Sequence, residues 1–135
     1  MLFRSYGVHG VEILYTLMGP GCESVQRTTT DGADVVVGKW KDGRVATFRG
    51  TRDGPHGYGA LVYGRKATRA TPPVDKSIYH NLVAEFVTFF RGGEPPVSHE
   101  EMVEVLAFME AADASRKDGG RAVKLAELDA AAEKR

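Results

Sequence analysis

The period of the apolar residues changes twice along the chain, and few folds accommodate the resulting order of segments. Strand-like patterns are grouped in the middle of the chain, in the segments Cys22–Thr30, Ala33–Trp40, Val45–Arg52, Tyr58–Tyr63 and Ala67–Thr71. Helical patterns come before and after them, in Tyr6–Gly19, Ile78–Arg91 and His99–Lys117, and a short strand is predicted over Arg121–Leu128. Strands grouped apart from helices indicate an α+β domain. We therefore expect an open-faced, mostly antiparallel mixed sheet of about five to six strands with helices on one face.

Turn and cap signals separate these segments. Gly19-Pro20-Gly21 ends the first helical pattern, because glycine adopts the left-handed conformation and proline cannot continue a helix. Asp42-Gly43 has the composition of a tight turn and predicts a hairpin between the second and third strands. Ser98 and Glu101 have the spacing of a capping box at the start of the third helix.

Composition restricts the class of protein. A chain of 135 residues with 42% hydrophobic residues can form one domain with a buried core. We expect that domain over residues 1–128, followed by a charged tail, residues 129–135, that frays. The 18 basic and 18 acidic residues cancel, which argues against a nucleic-acid partner. No apolar run approaches the ~20 residues needed to span a membrane. The single cysteine, Cys22, forms no internal disulfide and favours the cytoplasm.

The aromatic and aliphatic residues suggest a core and an exposed surface. Phe86, Phe89 and Phe90 lie at helical spacing and are interpreted as core residues, as are Met102 and Leu106 in the next helix. Three helices cannot cover all the large rings of the strand region, which are Trp40, Phe48, Tyr58 and Tyr63. We therefore expect an uncovered, partly aromatic sheet face that binds a ligand or a partner.

His9 is the best candidate for acid–base or substrate-binding chemistry. It lies near a helix start, it titrates near neutral pH, and Tyr6 and Glu12 are within reach. The alternative is a histidine packed at the helix end with both ring nitrogens satisfied. No dinucleotide-binding or P-loop motif, no metalloprotease motif and no Cys/His cluster occurs in the sequence. No metal ligands and no cofactor-binding residues are therefore predicted.

Two stretches are similar to a known family. They are YGVHGVEILYTLMGPG at residues 6–21 and the run from Phe89 to Leu125, which contains FFRGGEPPVSHEE and FMEAADASRKDGG. Together with GKWKDGRVATFRG, they resemble the C-terminal domain of the glucose–fructose oxidoreductase/inositol dehydrogenase (Gfo/Idh/MocA) family. The resemblance extends from Tyr6 to about Leu128 and implies an open-faced sheet with helices on one side.

The resemblance also implies a function. Members of the family are NAD(P)-dependent oxidoreductases that commonly act on sugars and polyols, with the cofactor bound by an N-terminal Rossmann domain. Neither that domain nor the family's Glu-Lys-Pro lysine motif is present in this sequence, so we expect no cofactor binding and no catalysis by this chain alone. His9 matches the family's substrate-activating histidine, and Tyr6 and Glu12 are predicted to orient the substrate. Many members carry an aspartate four residues before the histidine, where this chain has Ser5.

Two hypotheses follow from the sequence. The first is a substrate-binding and oligomerisation domain of such an oxidoreductase, which forms homo-oligomers through its bare sheet face. The second is a stand-alone, non-catalytic interaction module that dimerises through the same face. Substitution of His9 and measurement of the oligomeric state would distinguish them.

Overall fold

A computed structural model describes residues 3–54, 57–72 and 77–132 of the chain. Its elements are α1 (Phe3–Met18), β1 (Cys22–Thr29), β2 (Ala33–Trp40), β3 (Val45–Thr51), β4 (Leu61–Tyr63), β5 (Thr68–Ala70), α2 (Ser77–Phe90), α3 (His99–Lys117), β6 (Val123–Lys124) and α4 (Leu125–Ala132). The predicted α+β class with an open, antiparallel sheet is confirmed. The expected domain boundary at residue 128 falls within α4, and residues 133–135 lie outside the described residues.

The six strands form two sheets. Four of them make one sheet in the order β3-β2-β1-β6, and β4 pairs with β5 in a separate hairpin. All pairings among the described strands are antiparallel. The predicted hairpin turn joins β2 and β3, where the Gly43 N–H donates to the Trp40 carbonyl at 2.9 Å and Gly43 adopts φ +87°. The predicted cap of α3 is also present, since Ser98 Oγ accepts from the Glu101 N–H at 3.1 Å.

Helices α1 and α3 cover one face of the four-stranded sheet and enclose the core. The largest buried side chains are Tyr15, Trp40 and Phe108, which pack with Val11, Val25, Val36 and Val123. Space for these rings comes from small residues in the sheet and on the helix. A Cβ at Gly38 would lie 2.7 Å from the Phe108 ring, so only glycine fits there without rearrangement.

Of the four large rings of the strand region, Tyr58 and Tyr63 are exposed, whereas Trp40 and Phe48 lie on the covered face of the sheet. Trp40 is 1% exposed, and Phe48 packs against the core from β3. Both belong to the alternating set of residues that faces the helices, because a strand turns successive side chains to opposite faces. The other face carries mainly β-branched, polar and charged side chains, including Val37, Lys39, Thr47 and Arg49.

A network of charged side chains is buried beside the core. Arg27 is 2% exposed and Asp34 is 3% exposed. Arg27 Nε donates to Asp34 Oδ1 at 3.0 Å, and Arg27 Nη1 donates to Asp113 Oδ1 at 2.6 Å. The Asp34 carboxylate also accepts from Thr29 Oγ1 at 2.7 Å and from Arg52 Nη2 at 2.5 Å. Through Arg27 the network connects β1 with β2 and α3. Its charges are paired at a site from which water is largely excluded, which a buried charge requires.

The interpretation of the phenylalanines of α2 as core residues is wrong. Phe86, Phe89 and Phe90 are 51%, 43% and 83% exposed, and α2 buries none of its residues among the described part of the chain. Met102 and Leu106 of α3 are also more than half exposed. Helical periodicity identified an apolar face in each helix, but it does not specify which side of α3 meets the sheet or whether α2 packs at all.

The closing strand is shorter than predicted. Only Val123–Lys124 pairs with β1, and α4 begins at Leu125. The Lys124 N–H donates to Glu127 Oε1 at 3.1 Å, which is the bond that an acidic residue in the first helical turn makes to the residue before the helix. This local cap starts a helix where the apolar pattern alone indicated a longer strand.

Candidate functional site

The C-terminal end of α1 is held against the β2–β3 turn. Trp40 Nε1 donates to the Gly19 carbonyl at 2.8 Å, and Arg44 Nη1 donates to the Met18 carbonyl at 2.9 Å. Both bonds satisfy carbonyl groups that have no partner inside the helix, and the Arg44 charge complements the negative end of the helix dipole. Gly19 adopts φ +68°, as the predicted helix stop requires.

The middle of α1 lies directly on β3. A Cβ at Gly10 would overlap the ring of Phe48, so the absence of a side chain lets the helix backbone approach that ring. Because His9 is the residue before Gly10, this close contact fixes the side of the helix on which His9 projects.

A carboxylate connects α1, β1 and α3. Glu104 Oε1 accepts from the Tyr15 hydroxyl at 3.0 Å and from the backbone N–H groups of Gly21 and Cys22 at 2.8 and 2.6 Å. Burial, reinforced by the nearby Glu104 charge, raises the pKa of the Tyr15 hydroxyl. The same two causes raise the pKa of the Cys22 thiol to about 11. The raised pKa favours the protonated thiol, which is the less nucleophilic form of cysteine.

His9 and Glu12 form a hydrogen-bonded pair on the outer side of α1. His9 Nδ1 lies 3.2 Å from Glu12 Oε2, and both side chains are more than half exposed. An ionised carboxylate only accepts, so this contact favours the tautomer with the hydrogen on Nδ1, in which Nε2 is an acceptor. The ring of Tyr58 meets His9 edge-on, with centroids 5.9 Å apart and planes at 89°. The exposure of His9 is not that of a packed core histidine.

The three predicted site residues have different outcomes. The structure brings His9 and Glu12 together, while the side chain of Tyr6 lies outside the described residues. The contact of Tyr58 with His9 was not predicted, because the sequence assigned Tyr58 to the fourth strand and to the expected aromatic face. The structure places it before β4, between Gly57 and Gly59. A single aromatic residue flanked by glycines in a loop is the signal that could have identified it.

A cavity of about 780 Å³ opens beside this group. Its walls are α1, β3 and residues 57–63, and they are mainly apolar, with Arg44 and Arg49 as the charged lining residues. Gly10 and Tyr58 line it, and both are direct neighbours of His9. The volume is in the range of small-molecule sites, and the wall combines apolar surface with a few polar groups, as such sites do.

The described residues form no dinucleotide-binding crevice of the Rossmann type. A dinucleotide binds at the crevice of a parallel sheet with a glycine-rich turn before a helix, whereas every described strand pairing here is antiparallel. Within the described ranges, no group of three or more His, Cys, Asp or Glu side chains could hold a metal ion. No helix in the same part of the chain is long and apolar enough to cross a membrane.

Comparison with known proteins shows a shared fold. No protein family and no curated protein matches the sequence. Among solved structures, the chain is similar to a protein from Desulfitobacterium hafniense DCB-2 that is provisionally described as an NADPH-dependent oxidoreductase, with a TM-score of 0.73 and 20% identity over 93% of this chain and 48% of that one. It is also similar to GenD2 from gentamicin A biosynthesis, solved in complex with NAD, with a TM-score of 0.69 and 18% identity over 90% of this chain and 47% of that one. The chain spans about half the length of these structures, and it shares the fold of that half.

Proposed function

We propose that this chain is the substrate-binding domain of an NAD(P)-dependent oxidoreductase of the Gfo/Idh/MocA type, acting on a sugar, a polyol or a related hydroxyl compound. The observation that carries the proposal is the exposed His9–Glu12 pair beside a cavity of about 780 Å³. The fold shared with a longer protein described as an NADPH-dependent oxidoreductase, and with GenD2, which was solved in complex with NAD, supports it. The proposed compartment is the cytoplasm, which suits a single free cysteine.

His9 has the central role in this proposal. Nε2 accepts the hydrogen of the substrate hydroxyl, because Nδ1 is committed to Glu12. Glu12 keeps the ring in this tautomer and stabilises the positive charge that develops when Nε2 takes the proton. The edge of Tyr58 restricts rotation of the imidazole, and Tyr6 is proposed as a further substrate contact.

The cofactor comes from outside this chain. Since the described residues offer no dinucleotide crevice, the nicotinamide that accepts or donates the hydride belongs to a second, cofactor-binding domain. The chain by itself binds the hydroxyl compound, orients it and holds a proton at His9 Nε2. It is expected to bind neither NADH nor NADPH at micromolar concentration.

Titration of the ¹⁵N-labelled chain with myo-inositol and with D-glucose tests the binding role. We expect millimolar binding of at least one of them, with the largest amide shifts at His9, Gly10 and Tyr58. His9→Ala is expected to abolish these shifts, whereas His99→Ala, an exposed histidine on α3, should leave them unchanged. Shifts elsewhere on the surface, or equal shifts in both variants, would overturn the proposal.

The second candidate function is a non-catalytic interaction module. The uncovered apolar face of α2 favours it, since such a face is typical of an interaction surface. Self-association through the open sheet face stays a prediction. That face carries charged residues, such as Lys39 and Arg49, which are depleted in the centres of stable interfaces.

A further inference from the structure

The cavity lies along the free edge of β3, which is the edge strand of the four-stranded sheet. Hydrogen bonds to β2 use the even-numbered residues, as the bond from the Arg52 N–H to the Gly32 carbonyl at 2.9 Å shows just beyond the strand. The backbone N–H and C=O groups of the odd-numbered residues therefore point away from β2, and all of these residues line the cavity. They are Val45, Thr47, Arg49 and Thr51. Such groups donate and accept hydrogen bonds, as the hydroxyl groups of a sugar also do.

The charged residues that line the cavity are both basic. Among the described residues, Arg44 and Arg49 border it and no Asp or Glu does. Arg44 is engaged within the protein, since its Nε donates to Asp42 Oδ2 at 2.6 Å and its Nη1 donates to the Met18 carbonyl at 2.9 Å. Arg49 is exposed, and its side chain makes no hydrogen bond or ion pair within the described part of the chain. The guanidinium of Arg49 is therefore available to a ligand.

Arg49 lies at the end of the cavity that is nearer to His9. The ring of Phe48, one residue earlier, packs against Gly10 of α1. Arg44 lies instead at the C-terminal end of that helix. Successive side chains of a strand point to opposite faces, so Phe48 faces α1 and Arg49 lies across the free edge of β3. A ligand that contacts both His9 and Arg49 therefore passes over the outward-pointing backbone groups of that edge.

We propose that the substrate carries an anionic group, a carboxylate or a phosphate, which Arg49 binds while a hydroxyl group of the same molecule meets His9. This assignment rests on the proposed function, because the hydroxyl group is the one held at the His9 site. The donors of a guanidinium form a planar fork that matches two oxygens of either group, and such charge-assisted bonds are stronger than neutral ones. A cleft lined by charges of one sign also attracts the opposite charge. The substrate class is then that of sugar acids and sugar phosphates.

Titration of the ¹⁵N-labelled chain with three related compounds tests this assignment. D-Glucose is neutral, D-glucuronate carries a carboxylate at the sixth carbon, and D-glucose 6-phosphate carries a phosphate there. At neutral pH and low ionic strength, we expect one or both anions to bind about tenfold more tightly than D-glucose. The amide shifts should include Arg49 as well as His9, and the more tightly bound anion identifies the group. The preference should weaken at high salt, because salt screens an exposed ion pair.

Two matched variants separate a site from general attraction. Arg49→Gln should lower the affinity for the anion about tenfold, to that for D-glucose, and should leave the affinity for D-glucose unchanged. Arg65→Gln removes the same charge from the turn between β4 and β5, outside the lining of the cavity, and should preserve the preference. Equal losses in the two variants would overturn the assignment.

The His9 shifts distinguish failure of this assignment from failure of the proposed function. Equal affinities for all three compounds, with shifts at His9, would overturn the anionic substrate and leave the proposed function intact. Anion binding that shifts Arg49 alone and is unchanged in His9→Ala would overturn the assignment, because one molecule would not contact both residues. An absence of shifts at His9 with all three compounds would contradict the proposed function as well.

Discussion

Removal of the Asp34 side chain tests whether the buried charge network stabilises the fold through charge pairing. The Asp34 carboxylate, 3% exposed, accepts from Arg27, Thr29 and Arg52. In Asp34→Ala, Arg27 keeps its bond to Asp113 but loses its contact with the Asp34 carboxylate, and Arg52 loses the same acceptor. Removal of one partner of a buried pair costs about 3–5 kcal/mol. That is a large part of the ~5–15 kcal/mol by which a domain of this size is stable.

Urea unfolding followed by circular dichroism measures the effect. With a slope of about 2 kcal/mol per molar urea, a loss of about 4 kcal/mol lowers the midpoint by about 2 M. Asp31→Ala, an exposed aspartate in the turn before β2, is the matched control and should change the stability by less than about 0.5 kcal/mol. A loss below about 1 kcal/mol in Asp34→Ala, or equal losses in the two variants, would refute the reasoning.

Replacement of both charges gives a second test. Arg27→Met/Asp34→Ala removes both members of the Arg27–Asp34 pair, so its loss of stability should be smaller than the sum of the two single losses. A double variant that loses the full sum would show that the two side chains act independently, which the 3.0 Å contact between Arg27 Nε and Asp34 Oδ1 does not allow.

Three further predictions concern the elements that position α1 and β1. Gly10→Ala should lower the free energy of unfolding by about 1–3 kcal/mol, because the added Cβ overlaps the Phe48 ring. Gly57→Ala meets no atom within 4 Å and serves as its control in the same urea assay. Glu104→Gln should destabilise the fold by about 1–3 kcal/mol and lower the pKa of the Cys22 thiol, seen as faster reaction with a disulfide reagent at pH 9; an unchanged rate would contradict it. The raised pKa of Cys22 stabilises the folded chain below the ordinary pKa of a thiol, and this contribution is lost as the pH rises towards about 11. The stability of the native chain should therefore fall between pH 9 and 11, and an equal fall in Cys22→Ala would contradict the assignment.

Local signals in the sequence predict much of the fold. The strand Ala33–Trp40 and the helix His99–Lys117 have the predicted bounds. The strand lies between two turn signals, and the helix lies between a capping box and a glycine stop, all of which act within a few residues. The predictions that fail concern contacts between distant segments. Met102 and Val105 both fit the apolar period of α3, and only the docked sheet determines that Val105 is buried and Met102 is exposed.

The contacts of the candidate site also divide into one that is local in the sequence and one that joins distant segments. The spacing of His9 and Glu12 places both side chains on one helical face, so their contact could be predicted from the sequence. The contact of Tyr58 with His9 depends on how the loop before β4 returns to α1, and no local pattern encodes this. The network of Arg27 and Asp34 was missed for a related reason, since charged residues in strands are normally assigned to the solvent side.

The central claim is that His9 Nε2 receives the hydroxyl group of a small-molecule substrate. The most direct measurement is long-range ¹H–¹⁵N correlation of the histidine side chains, with and without saturating myo-inositol or D-glucose. At pH 8 we predict that His9 has its hydrogen on Nδ1 and that the Nε2 resonance moves when one of these compounds is added, while the ring of His99 is unaffected. A hydrogen on Nε2, or an Nε2 resonance that neither compound changes, would contradict the account.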